Sequence, residues 1–255
     1  MMDCKKALEE TNCDMDAAVE IIRKKGQAVA AKREDREASE GCVLSAAEGN
    51  FCALVALKCE TDFVAKNEGF VALTKSILDA AMAAKAKSLD EVKALVIDGR
   101  TVADLIVDEI GKTGEKMELG AYECLEGEGT TCYDHLGNKL STIVTFTKPV
   151  ERQVGRNVAM QVASMNPISV SRDSVPQNVI DQELDIAREK ARQEGKKEEM
   201  LDKIAQGRLN KFYKESCLVE QEYIMDPALT IASYLKGIDA DLTVKEFKRV
   251  NLNID

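Results

Sequence analysis

Three sets of residues in this chain have the types and spacing to do chemistry. The first is His135, the only histidine, two residues after Tyr133 and beside the Gly137-Asn138 pair. An imidazole near a phenol could serve as an acid–base group; beside a Gly-Asn turn, it also reads as a surface or interface residue. The second is the cysteines, Cys4, Cys13, Cys42, Cys52, Cys59, Cys124, Cys132 and Cys217. No pair has CxxC spacing, and a single histidine gives little for a zinc site. Cys52 and Cys59 fall inside apolar strand patterns, so the set reads as small buried hydrophobes rather than disulfides, metal ligands or nucleophiles. The third is the stretch "KCETDFVAKNEG" (58–69), which sets the carboxylate of Asp62 beside the ring of Phe63 where a strand pattern gives way to a helix pattern. Read from the pattern alone, Phe63 is a core residue at a strand end and Asp62 a cap.

Known catalytic motifs are missing. The sequence has no GxSxG, P-loop, GxGxxG or HExxH. "GEGTTC" (127–132) lacks the lysine of a phosphate loop and reads as a turn. Acids are abundant, yet no spacing pairs two of them across a pocket. No catalytic residue, metal site or cofactor is therefore assigned, and the chain is not expected to be an enzyme.

The net charge of −10 argues against nucleic acid as the main ligand, because phosphate binding needs a cationic footprint. No run approaches the roughly 18 apolar residues of a membrane span. No secretory apolar region follows Met1, which places the chain in the cytoplasm. With 255 residues, 45% of them hydrophobic and 31% charged, the chain can build one large or two small domains plus appendages.

The elements that must position these residues follow from periodicity. Residues 1–26 read as two short helices, with a stop at Asn12, a cap at Asp14 and an end at Gly26. Two such helices cannot bury a stable core alone, so a segment lies upstream or the pair docks elsewhere. Residues 27–40 are highly charged and read as a mobile or helical linker, or as a solvated helix. From Gly41 the period changes. "CVLSA" and "FCALVALKC" read as strands joined by a turn, with Phe51, Ala53, Val55, Leu57 and Cys59 on one face. A helix follows with Phe70, Leu73, Ile77 and Ala81 inward, then two more helices capped by Ser88 and Thr101.

The pattern then recurs. "EKMELGAYECLE" reads as a strand, "TTCYDHLGNKLSTIVTFTK" as a hairpin around Gly137-Asn138, and "PVERQVGRNVAMQVASM" as a helix opening at Pro149. The fold class is therefore α+β, with two related core subdomains: 41–115, and 116–176 together with 216–255. Residues 177–215 carry two narrow apolar stripes broken at Gly195. They read as an antiparallel coiled-coil hairpin inserted in the second subdomain, or as one more pair of core helices. The final alternating segment, "LTVKEFKRVNLNI", could rejoin the second sheet.

"TDFVAKN" after "VALKCE" resembles the signature of the elongation factor Ts family, the nucleotide exchange factors of bacterial elongation factor Tu. "MMDCKKALEE" resembles the N-terminal signature of the same family. "YDH" (133–135), "NVAMQVASMNP" (157–167) and "IAQGRLNKFYKESCL…QEYIMDP" (204–227) match in family order. The resemblance implies a ubiquitin-associated-like helical N-terminal domain (1–26, partial here), a linker (27–40), a two-part α+β core and an inserted coiled coil. It implies elongation factor Tu as partner, with no direct nucleotide binding, nucleic acid or membrane. Carried over residue by residue, Thr61, Asp62, Phe63 and Val64 would dislodge the partner's magnesium, with Phe63 as a wedge. Met1, Met2 and His135 would be partner contacts, as would the arm.

Two departures stand out. The "LRxxTGxG"-like stretch of the family is missing, so the true start is expected roughly twenty residues upstream, since two orphan helices would expose apolar faces. Ala56 and Lys58 stand where the family pattern has Glu and Asn, which bears on local packing. Two further functional readings are separable by experiment. A chaperone-like binding scaffold would bind without accelerating nucleotide release, and an enzyme using His135 would turn over without any GTPase.

Overall fold

The computed structural model describes residues 2–253. Helix α1 (Met2–Glu10) stops before Asn12, whose φ of 52° is the left-handed conformation that asparagine tolerates. Helix α2 (Met15–Lys32) is capped by Asp14, whose carboxylate accepts the Ala17 N–H at 3.1 Å. The expected helix end at Gly26 is not there. α2 continues to Lys32 and takes the first part of the charged stretch with it.

Strands β1 (Glu40–Glu48) and β2 (Phe51–Cys59) form a hairpin in unbroken antiparallel register, from Glu40 opposite Cys59 to Glu48 opposite Phe51. A single helical turn, α3 (Asp62–Ala65), and helix α4 (Glu68–Ala84) follow. Helix α5 (Leu89–Ala94) is capped by Ser88; a two-residue ladder, β3 (Val96–Ile97) and β4 (Arg100–Thr101), leads into α6 (Val102–Thr113), capped by Thr101. Strand β5 (Met117–Glu126) then pairs with β2, giving the sheet order β1-β2-β5. The sequence groups this strand with the second half. Its hydrogen bonds place it in the first sheet, where it closes the free edge of β2.

Alternation along β2 explains the layers. Phe51, Ala53, Val55, Leu57 and Cys59 face α4 and α6 and share a core with Phe70, Ile77 and Ile106. Cys52, Leu54 and Ala56 face the other way, toward Ile143 of the second sheet. β2 is therefore buried on both faces, and each full-sized side chain there contributes about 1.5–3 kcal/mol. The β2–β5 register slips between Ala56 and Leu57, leaving Gly120 as the extra residue. The methylene stem of Lys58 fills the space, since a Cβ on Gly120 would come within 2.3 Å of Lys58 Cδ. Ala56 and Lys58 thus fit local packing: one is covered by the second sheet, the other lies along its neighbour strand.

α2 docks on α6 through two glycines. Gly26 is buried, and a Cβ on Gly111 would lie 3.1 Å from Gly26 Cα. Gly26 lets two helices approach and does not end one. Arg23 pairs with Asp104 beside the crossing.

The second layer contains β6 (Gly129–Asp134), β7 (Leu140–Phe146) and, after a long excursion, β10 (Val244–Asn251), in the order β10-β7-β6. The β6–β7 turn is the expected one, with Gly137 and Asn138 at φ 92° and 55°. Helix α7 (Arg152–Met165) buries Val154, Val158 and Val162 against this sheet. It begins at Arg152 rather than Pro149, because the preceding residues are still tied to the sheet end. Thr147 N–H donates to Thr243 O at 3.0 Å, and Lys148 Nζ to Asp239 at 2.8 Å. Helices α8 (Gln177–Gln193) and α9 (Glu198–Ser216) form a hairpin that reverses at Gly195, φ 75°. Ala187, Ala191, Leu201 and Ala205 are buried toward the reversal, Val179, Ile180 and Leu184 pack with Leu209 and Tyr213 toward the base, and Arg188–Asp202 and Arg208–Glu194 pairs line the outside. The short strands β8 (Glu222–Tyr223) and β9 (Asp226–Thr230) and helix α10 (Ile231–Lys236) complete the layer, and β10 returns to pair with β7. The helical hairpin thus interrupts an otherwise continuous layer. Among the described residues no helix is long and apolar enough to cross a membrane.

Candidate functional site

The strand-to-helix junction after β2 is built from its base upward. Glu60, the first residue past the strand, is nearly enclosed by donors: Arg33 at 3.2 Å, Arg36 at 2.7 Å and the Lys116 N–H at 2.7 Å. Burial acts to raise its pKa, but the Lys116 N–H and the Arg36 guanidinium outweigh burial and hold the carboxyl below its usual range. Thr61 then caps α3 with its hydroxyl, which accepts from Val64 N–H at 3.4 Å. Glu115 accepts from both Thr61 Oγ1, at 2.6 Å, and Thr61 N–H, at 3.1 Å. Asn67 caps the next helix by accepting from Gly69 N–H at 2.8 Å.

With both ends tied, the turn divides its side chains cleanly. Ala65 is buried and Val64 half-buried against the first core. Phe63 points out and is 85% exposed. It is neither a core residue nor shielded by a neighbour, which decides against the reading from pattern alone. Asp62 lies at the start of α3, where an acid is favoured by the exposed N–H groups. The hydrogen-bonded Lys66 ammonium, 2.6 Å away, holds the Asp62 carboxyl below its usual range.

The structure brings the β6–β7 turn to the same end of the molecule. Val43 N–H of β1 donates to Asn138 O at 2.7 Å, and Lys139 pairs at 2.7 Å with Glu40, the residue opposite Cys59. The Lys139 charge also helps lower the pKa of Asp62. On this turn His135 is exposed, with Nδ1 3.0 Å from Tyr133 Oη, and Arg156 lies over the Tyr133 ring at 5.3 Å. Beneath them Asp134 is held between the sheets. Its carboxylate accepts from Ser45 of β1 and from Ser141 of β7, the latter at 2.7 Å. Burial pushes its pKa up despite those bonds.

Sequence reading missed Leu136, the residue at the turn tip, which is 96% exposed. A leucine inside "HLGN" has no strand or helix period to bury it, and that was the available signal. Glu115 was also missed, and nothing local marks it, because its partner lies 54 residues away. Met2 stands apart on α1, 67% exposed, and Met1 lies outside the described residues. Met15 and Val19 of α2 are also exposed, and with Cys4, Leu8 and Ile22 they line an apolar groove of about 530 Å³.

Two neighbouring turns that present Phe63 and Leu136 to solvent define a protein whose candidate site is a contact surface rather than a cleft. A family model described as "Elongation factor TS" matches residues 60–253. The chain is 58% identical over 256 residues to an elongation factor Ts of Porphyromonas gingivalis, covering 100% of this chain and 93% of that one. It is 51% identical to that of Azobacteroides pseudotrichonymphae, with the same coverage, and 49% identical to that of Amoebophilus asiaticus, covering 98% and 92%. The chain belongs to the elongation factor Ts family, the nucleotide exchange factors of translation elongation.

Proposed function

We propose that this chain binds elongation factor Tu in its GDP form and speeds GDP release by disturbing the partner's magnesium site with Thr61, Asp62, Phe63 and Val64. The observation that carries the reading is the 85% exposure of Phe63 on a turn whose base is tied down on both sides. A large ring held in water by a braced backbone is unfavourable in the free protein and useful only when a partner covers it.

The physical logic is that of linked binding. Magnesium bridges nucleotide phosphates and needs a near-ideal octahedral shell, so a small displacement of its surroundings weakens the hold on GDP. The factor produces that displacement by binding the distorted partner more tightly than the GDP-bound one. GDP must weaken binding of the factor by the same ratio. Phe63 acts as the wedge, and Asp62 brings a carboxylate against the groups that organise the metal. His135, with Leu136 beside it, supplies a second contact from the neighbouring turn, and Met2 and the α8–α9 hairpin add others.

The test is stopped-flow release of fluorescent GDP from the cognate GTPase. The wild-type chain should accelerate release, and the Asp62→Ala, Phe63→Ala double variant should lose most of that acceleration while still folding. Equal rates for the two proteins would refute the assignment of the turn.

A further inference from the structure

We propose that Glu115 is a positioning residue for the exchange turn, an inference that rests on the reading of Thr61–Val64 as the exchange element. Glu115 stands immediately after Gly114, the left-handed residue (φ 76°) that ends α6. Its two carboxylate oxygens take Thr61 by both of its donors: Oε1 from the hydroxyl at 2.6 Å, Oε2 from the backbone N–H at 3.1 Å. The same hydroxyl accepts from Val64 N–H at 3.4 Å. One oxygen of Thr61 therefore links Glu115 to the first turn of α3.

That link matters because α3 is four residues long. A helix of one turn does not hold itself together in water, since the nucleus costs more than its hydrogen bonds return. Its direction must be imposed from outside. Ala65 and Val64 give it an apolar footing at its far end, and Glu115 fixes its cap residue, Thr61. Phe63 lies between these two anchors, so the direction of its Cα–Cβ bond is set by both. Glu60, next in the chain, is held by different partners, Arg33, Arg36 and Lys116 N–H, and does not replace the bonds to Thr61. Glu115 makes no use of the partner. It removes ordering that the turn would otherwise undergo during exchange.

An interaction that orients a group used only in the release step should be read in the rate rather than in affinity. Glu115→Ala should lower the saturating rate of GDP release about tenfold, the equivalent of one lost net hydrogen bond. The half-saturating concentration should change less than about twofold. Glu115→Gln keeps one of the two oxygens that the Thr61 donors use and loses the charge, and should fall between wild type and Glu115→Ala, with an unchanged melting temperature. Thr61→Val removes the hydroxyl that Glu115 accepts from; it should slow release and should not add to Glu115→Ala. In a Phe63→Ala background, Glu115→Ala should have little further effect. A wild-type rate for Glu115→Ala beside a slow Phe63→Ala overturns the proposal and leaves the exchange reading standing. Full additivity of Glu115→Ala with Phe63→Ala overturns it too. A wild-type rate for Phe63→Ala alone overturns the exchange reading and the proposal together.

Discussion

Phe63 and Ala65 stand on opposite sides of a single helical turn, one 85% exposed and the other 8%. Residues two apart in a helix point about 200° away from each other, so anchoring one presents the other. Truncation of Phe63 removes no internal packing. Phe63→Ala should leave the unfolding free energy within about 0.5 kcal/mol of wild type, the usual range for an exposed site. The converse change, Ala65→Leu, inserts methylenes into a filled space and should cost about 1–3 kcal/mol. Denaturant melts of the two variants, beside their GDP release rates, separate the two roles: Phe63→Ala should be slow and stable, and a destabilised Phe63→Ala would contradict the geometry.

Asp134 carries a pH dependence of definite sign. Its folded pKa is raised above the reference of 3.8, chiefly by burial, while Ser45, Ser141 and Arg156 oppose the rise. The folded state therefore holds this proton more tightly than the unfolded state. Its contribution is fully favourable below the unfolded pKa and is lost as pH rises through the folded pKa. Above that, the charged carboxylate is a cost. Both serines bond the same oxygen, Oδ1, which an asparagine also has. Asp134→Asn should melt at or above wild type at pH 7, and the difference should close as pH falls through the acidic range. Asp134→Ala leaves the Ser45 hydroxyl short of its partner, while Ser141 keeps the Val43 carbonyl at 3.0 Å, and should cost about 1–3 kcal/mol. A Tm advantage of Asp134→Asn that grows toward low pH would reverse the sign and reject the argument.

The cysteines divide by burial. Cys4 and Cys13 are exposed, whereas Cys42, Cys52, Cys59 and Cys217 are buried. Burial pushes the thiol of Cys42 up to about 11 and those of Cys52 and Cys59 up to about 12, so almost no thiolate exists there at pH 8. Brief iodoacetamide treatment of the native protein followed by peptide mass mapping should modify Cys4 and Cys13 first. Labelling of Cys52 at a similar rate, without unfolding, would show that the sheet interface opens more readily than its packing implies, and labelling of Cys59 would show the same of the first core.

What the sequence made legible was set by local periods. The alternation of β2, the caps Asp14, Ser88 and Thr101, the Gly137-Asn138 turn and the break at Gly195 are short-range physics, and each stands where the pattern puts it. The pairing of β5 with β2 was not legible, because strand order depends on contacts that periodicity does not encode. Phe63 shows the limit most sharply. Its pattern favours burial, and only the ties of Glu60 and Glu115 to distant segments turn it outward. The family resemblance implies the outward orientation; the residues by themselves do not.

Gly26 and Gly111 are a second case in which long-range contact reverses a local rule. Glycine inside a helix ordinarily costs about 1 kcal/mol relative to alanine, so Gly111 in α6 looks like a site for improvement. Yet a Cβ there would lie 3.1 Å from Gly26 Cα, and one on Gly26 would lie 3.3 Å from Val107 O. Both neighbours are backbone and cannot swing aside. A branched side chain such as that of Gly111→Leu must therefore push α2 away from α6. Of α2, only Val29 and Ala30 pack against the first core, at its margin, so the sheets need not follow. The loosened α2 would carry Arg33 and Arg36 off Glu60, so the base of the exchange turn would lose two of its donors. The expected outcome is faster trypsin cleavage at Lys32, Arg33 and Arg36, a cooperative melt of the remaining core close to that of wild type, and slower GDP release. Cleavage and release at wild-type rates in Gly111→Leu would mean that the glycine crossing neither holds α2 in place nor supports the turn through Glu60.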